Sequence, residues 1–260
     1  MYRIEATIDL PHHNVRAGDK GGYVESEYNL CDKAWVEDNA CVCDEAKVYE
    51  RALIGGNATV YGMARVYGNA RVSGFARIYD NAQVYGRALI AGARYAEVYG
   101  MARVYEDAKI SGDARIFDYA QVYGSASVFK EARVFYHAEV CDLAQISGEA
   151  EIRGKAKIHG ITRVQDSAEI SCGADVGSDN DFCYFSKFGS DNERFTFFRE
   201  KNGNVYVNGN CFRGDLEEFE RKIKKSHRGN KYQKEYLKMI ELVKIKFEIK
   251  HRSWWLNFFE

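Results

Sequence analysis

The motif Ala-x-(Val/Ile) recurs every six residues through most of this chain, and that period restricts the fold more than any other feature. The stretch ARVYGNARVSGFARIYDNAQVYG shows it: Ala64, Ala70, Ala76 and Ala82 each stand two residues before Val66, Val72, Ile78 and Val84. The branched position steps by six from Val36 to Ile90, skips by eight to Val98, and resumes by six from Val104 to Val176. All 24 of these positions are Val or Ile, and the residue two before each is Ala except at Thr162. The residue two after is Gly or Asp in 18 of the 24. Val24 and Leu30 extend the frame backwards, with Gly22 and Tyr28 at the small position.

An α-helix does not account for this spacing. Six residues advance a helix by about 600°, so the branched row would spiral around it. One long strand explains the alternation but not a turn-former at every sixth place. A coil of short strands joined by corners explains both. Ala and the branched residue, two apart, point to the same side of a strand, and Gly or Asp accepts the left-handed backbone of a corner.

The outward residue after each branched one gives the number of strands per coil. Taking every third repeat, the first series reads Glu37, Gly55, Ser73, Ala91, Ser111, Phe129, Ser147, Gln165. The second reads Cys43, Tyr61, Tyr79, Tyr99, Phe117, Phe135, Arg153, Ser171. The third reads Tyr49, Tyr67, Tyr85, Tyr105, Tyr123, Cys141, His159, Gly177. Aromatics fill two series and nearly vanish from the first, so three strands make one coil. The chain is therefore read as mainly β: a three-sided parallel β-helix of about 8–9 rungs, roughly 40 Å long at the usual strand spacing.

Residues 24–177, with their pairs such as Val66 and Ala70, resemble the hexapeptide-repeat left-handed β-helix family. The left hand is what the resemblance implies; the period alone does not give it. The flanks GDKGGYVESEYNLCDKAWV and TFFREKNGNVYVNGNCFRGDLEEFERKIKKSHRGNKYQKEYLKMIELVKI resemble phage- and prophage-encoded hexapeptide-repeat proteins, a group labelled variously as acyltransferases or repeat proteins.

Outside the repeats the chain divides into an N-terminal cap, residues 1–23, and a small α+β module, residues 178–260, since an open stack of strands needs its ends covered. YRIEATI alternates like a strand. SDNDFCYFSKF breaks the frame. Residues 195–199 and 204–208 flank EKNG as a β-hairpin. Asp215 is placed to cap a helix carrying Leu216, Phe219 and Ile223, which stops near Gly229. A second helix from about Lys231 carries Tyr232, Tyr236, Leu237, Ile240 and Val243. KIKFEIK reads as strand or helix end, and WWLNFF is too apolar to leave in water.

Composition excludes several function classes. The 37 basic and 38 acidic residues nearly cancel, which points away from nucleic acid. No apolar run is long enough to span a membrane, and MYRIEATIDL lacks the pattern of a signal peptide. Seven cysteines without a CxxC spacing fit reduced thiols in a cytoplasm, the host's if the chain is phage-encoded, and give no metal site. There is no P-loop motif, and GDKGGY is read as a turn.

Two chemistries remain. In hexapeptide acyltransferases a histidine serves as general base beside acyl-CoA. The resemblance makes His137 and His159 the candidates here, although the large loop of such enzymes is missing and each reads more readily as a solvated or stacked surface residue. His12 and His13 have no partner readable from the sequence. The aromatic series are the other candidate. Tyr61, Tyr79, Tyr99, Phe117 and Phe135, with Arg77, Arg115 and Arg133 beside them, form one face; Tyr49, Tyr67, Tyr85, Tyr105 and Tyr123 form another. Each is either an intrachain covering or a protein-binding surface. The small residues Gly55, Ser73 and Ala91, with Leu53 and Leu89, allow close approach by a second chain or by the C-terminal module. The reading leans to a non-enzymatic protein-binding scaffold without a cofactor, acting on a host factor such as a defence system. An acyltransferase using acyl-CoA and a structural homo-oligomer are the alternatives.

Overall fold

The computed structural model describes residues 1–189, 192–209 and 212–249. The chain forms two compact units, Met1–Asp179 and Asn180–Glu260.

The first unit is a parallel β-solenoid of about nine turns. Most of its strands are two residues long, such as Arg65–Val66 and Gln83–Val84. They stack into three sheets of ten, eight and eight strands. Every third strand in the chain shares a sheet, so the three outward series occupy three separate faces, as the sorting by thirds predicts. Arg115 pairs with Arg133, eighteen residues on, whereas Arg77 pairs with Glu97, twenty residues on. The two extra residues are absorbed between Leu89–Gly92 and Glu97–Val98, leaving Tyr95 half exposed beneath the Arg77 guanidinium, 4.3 Å from its ring centroid.

The 24 branched side chains line the solenoid axis, each at most 1% exposed, with the alanines beside them. Each stabilises by roughly 1.5–3 kcal/mol through burial, a gain largely offset by chain entropy. Thr162 is buried in the alanine column because its Oγ1 donates to the His159 carbonyl at 2.8 Å.

The corners explain the Gly/Asp alternation. The residue two after the branched one has positive φ almost throughout, including Glu50, Glu106, Lys130, Tyr136 and Cys172. The coil imposes this backbone even where the residue type disfavours it. Two-residue strands leave the corner N–H groups outside the ladders, and acidic corner side chains accept them. Asp38 accepts from Gly56 N at 3.1 Å, Asp80 from Gly100 N at 3.1 Å, Glu106 from Gly124 N at 2.8 Å, and Asp142 from Gly160 N at 3.0 Å.

At the N-terminal end, strand Tyr2–Glu5 pairs antiparallel with Lys20–Val24, which joins the ten-stranded sheet. Ala6, Leu10 and Val15 pack on Trp35, with Ile4 and Leu53 at the edge of that cluster. Leu30 bridges to Val48, as the extended frame requires. Tyr28 departs from that frame. A 3-10 turn over Glu27–Asn29 turns Tyr28 outward and puts Asn29 inside, where its amide donates to the Asp44 and Ala46 carbonyls. An aromatic ring is too large for the alanine column; the turn resolves the conflict.

In the second unit, strands Phe182–Phe188, Glu193–Arg199, Val205–Gly209 and Phe212–Asp215 form an antiparallel sheet in that order. The sequence marks only the central hairpin; the outer strands lack clean alternation. Helix α1 (Leu216–Ser226) is capped by Asp215, which accepts from Glu218 N at 2.7 Å, and α2 (Lys231–Lys246) by Asn230, which accepts from Gln233 N at 2.9 Å. Phe195, Phe197, Val207, Phe219, Tyr236 and Val243 belong to the core of this unit. The open reading of KIKFEIK resolves as helix through Lys246, with buried Phe247 at the cap. Cys211, Lys250 and WWLNFF lie outside the described residues. Among the described residues, no helix is long and apolar enough to cross a membrane.

Candidate functional site

Each aromatic series forms a continuous stack, because a fixed coil length places equivalent residues one strand spacing apart. On the second face, Tyr61, Tyr79, Tyr99, Phe117 and Phe135 stack with ring centroids 4.8–4.9 Å apart and planes within 2–6°. On the third face, Tyr49, Tyr67, Tyr85, Tyr105 and Tyr123 do the same at 4.8–5.0 Å. The rings are half-buried. Burial, with Glu97 next, pushes the Tyr79 hydroxyl well above the usual phenol range. Burial likewise pushes Tyr105 up to about 12.

The arginines beside the second-face stack are already engaged. Glu97 lies between Arg77, at 3.8 Å, and Arg115, at 3.4 Å. Arg133 meets Glu151 at 3.2 Å, and Arg153 meets Glu169 at 3.0 Å. Glu97 and Glu151 occupy the same column as Arg77, Arg115 and Arg133, one coil away, so the repeat spacing that reveals the aromatics reveals these pairings too. Arg153 stands in the aromatic column itself and reaches Glu169 across columns, sixteen residues on. The edge of this face is a charge ladder neutralised along its own length.

The third-face row changes character towards its end. The Tyr123 hydroxyl donates to Glu139 Oε2 at 3.2 Å. Cys141 follows, its thiol buried and shifted upward by that burial. His159 comes next, with Nε2 3.0 Å from Asp175 Oδ1. The imidazole lies against Gly177, where a Cβ would stand 2.7 Å from its Cε1. Asp175 is the partner sequence reading missed; it lies sixteen residues after His159, two positions short of a full coil. His137 is different. It is exposed at a corner and stacks on Tyr119, centroids 4.9 Å apart. The two histidine candidates are thus separate, on different coils and faces.

The first face is partly occupied. Glu37 folds over Gly55, where a Cβ would meet Oε1 at 2.6 Å. Burial, ahead of the neighbouring Asp38 charge, raises the Glu37 carboxyl. Leu53 packs against the N-terminal cluster. Ser73, Ala91 and Ser111 stand in register on adjacent strands, and Leu89 remains exposed. His13, without a partner in the sequence reading, places Nε2 2.9 Å from the Lys33 carbonyl. Glu25, Cys43 and Asp44 offer ligand atoms within 4.8 Å of one another, but both carboxylates already accept backbone N–H groups.

The family model for the YdcK β-solenoid repeat matches residues 64–74, within the most regular part of the coil. A Bacillus cereus crystal structure described as a "putative acetyltransferase, product of BC4754 gene" is 12% identical. The match covers 88% of this chain and 97% of that one, with a TM-score of 0.23. No curated protein matches.

Proposed function

We propose that this chain is a rigid protein-binding scaffold whose second face carries the contact. The supporting observation is the Tyr79–Tyr99 stack, with ring centroids 4.8 Å apart and planes 2° apart, continued on both sides. A ring held above and below has little rotamer freedom left to lose, so a partner that covers it meets a preorganised aromatic surface at low entropic cost. The arginines, fixed by their acids, add polar specificity at the rim. The resemblance of the chain ends to prophage proteins makes a host protein the first partner to seek. The test is affinity capture with quantitative mass spectrometry. A protein retained by wild type and by Tyr67→Ser/Tyr85→Ser, but reduced at least about tenfold by Tyr79→Ser/Tyr99→Ser, supports the reading. Equal capture by all three sinks it.

One observation favours a second reading, acyl transfer from acyl-CoA: the His159–Asp175 contact at 3.0 Å. A carboxylate on one ring nitrogen fixes the orientation and tautomer of the imidazole, as a general base acting on a hydroxyl or amine requires. Under this reading acetyl-CoA raises the melting temperature, and His159→Ala abolishes turnover while His137→Ala does not. The scaffold reading expects no turnover, and turnover is the measurement that separates the two readings.

A further inference from the structure

A depression of about 580 Å3 opens on the edge of the first face, and Arg71, Arg87 and Lys109 are among the side chains that line it. We infer that it binds a small molecule carrying two adjacent phosphates. The coil geometry sets the arrangement. Arg71, Leu89 and Lys109 are register partners on three successive strands, so Arg71 and Lys109 stand two strand spacings apart, roughly 10 Å, with Leu89 between them. Arg87 precedes Leu89 by two residues at the corner, and Asp107 holds its guanidinium at 2.6 Å. The three cations therefore surround one apolar side chain at the corners of a triangle.

Charge and reach specify the ligand. The lining holds three cations and one carboxylate, Asp107, which Arg87 already engages; the Glu37 carboxyl, which feels the Arg71 charge, lies outside it. Arg71 and Lys109 stand on the strands either side of Leu89, a separation that flexible stems can close around a bridged pair of phosphates better than around one. Asn69 and Ser125 complete the lining with neutral hydrogen-bonding groups. Exposed Leu89, the apolar side chain of the lining, offers a contact for a base or other ring attached to the diphosphate. This is unlike the second-face edge, where acids in the same column neutralise the arginines. The inference rests on neither functional reading above; acyl-CoA also carries a diphosphate with a base, so pyrophosphate and ADP binding test this site while turnover tests acyl transfer.

Calorimetric titration of the full chain with pyrophosphate, orthophosphate and ADP tests it. Saturable pyrophosphate binding with Kd near or below about 1 mM is expected, weakened about tenfold by Arg71→Gln and by Lys109→Gln. Arg103→Gln, a charge change on the third face, is the control and leaves binding unchanged. ADP binds more tightly than pyrophosphate, and Leu89→Ser removes that advantage without affecting pyrophosphate. Circular dichroism verifies that each variant is folded. The proposal is overturned if pyrophosphate does not bind, if orthophosphate binds equally well, or if Arg103→Gln weakens binding as much as the depression variants do.

Discussion

The Asp44 carboxylate, on a left-handed corner, accepts the Gly62 backbone N–H at 3.0 Å, one full coil further along the chain. Gly62 in turn lies so close to the next corner that a Cβ on it would stand 2.9 Å from Asp80 N. From Asp44 to Asp118 the column that follows the second face thus alternates a carboxylate that reaches forward with a glycine that leaves room. Asp44→Ala removes one acceptor and should cost about 1 kcal/mol. Gly62→Ala adds left-handed strain to a backbone collision and should cost more, about 1–3 kcal/mol. Chemical denaturation of the two variants checks the order; a milder effect at Gly62 than at Asp44 would show that the corner is not tightly packed.

The middle of the coil has no polar partner to offer. Val84 is fully buried, with Val66 and Val104 as its register neighbours. Val84→Asp should destabilise the solenoid by several kcal/mol, because an unpaired charge enters an apolar column. Thermal unfolding followed by circular dichroism reads this directly, and an unchanged melting temperature would refute the assignment of that row to the interior.

Alkali should attack the aromatic stacks. Folding raises the phenol pKa of Tyr79, and of Tyr105 to about 12, above the ordinary value of 10, chiefly through burial. A raised folded value means that the stabilisation is complete below pH 10 and is lost as pH rises through the folded value. Tyrosinate absorbance at equilibrium should therefore lag that of free tyrosine, and the melting temperature should fall from about pH 10 upward. Titration of all tyrosines near 10 in the folded protein would contradict it.

Acid should loosen the N-terminal arm first. Burial, ahead of the opposing hydrogen bond to Lys33, lowers the His13 pKa from its ordinary 6.5, and its Nδ1 is buried without a partner. A lowered folded value means that stability is present above pH 6.5 and is lost as pH falls through the folded value. Hydrogen exchange over residues 1–19 should accelerate between neutral pH and pH 5 after correction for intrinsic rates, and His13→Gln should flatten that dependence. Uniform behaviour of the arm and the central coils would sink the idea.

The repeat was legible because one geometric requirement recurs at a fixed interval. Val36 through Val176 report the same interior column, and Tyr61 through Phe135 report the same exterior one. Where the repeat stops, that redundancy is lost. Asp215 and Asn230 remained readable as helix caps because a cap is a local signal. Strands Phe182–Phe188 and Phe212–Asp215 did not, since their pairing depends on neighbours that the sequence does not place. The candidate sites divide along the same line. The stacks were visible as columns, whereas the pairing of His159 with Asp175 and the grouping of Arg71, Arg87 and Lys109 cross from one column to another and need the coil's actual register.

That register makes the solenoid a counting device. Arg115 faces Arg133 because eighteen residues return the chain to the same side. Removing one six-residue repeat would leave every Val and Ile in the interior, yet everything beyond the cut would rotate by one face. Tyrosines would then lie above serines, and arginines above residues that cannot pair with them. Among changes by whole repeats, the interior tolerates steps of six while the exterior tolerates only steps of eighteen; apart from a short corner insertion such as the one between Gly92 and Glu97, duplication or loss of whole coils preserves both.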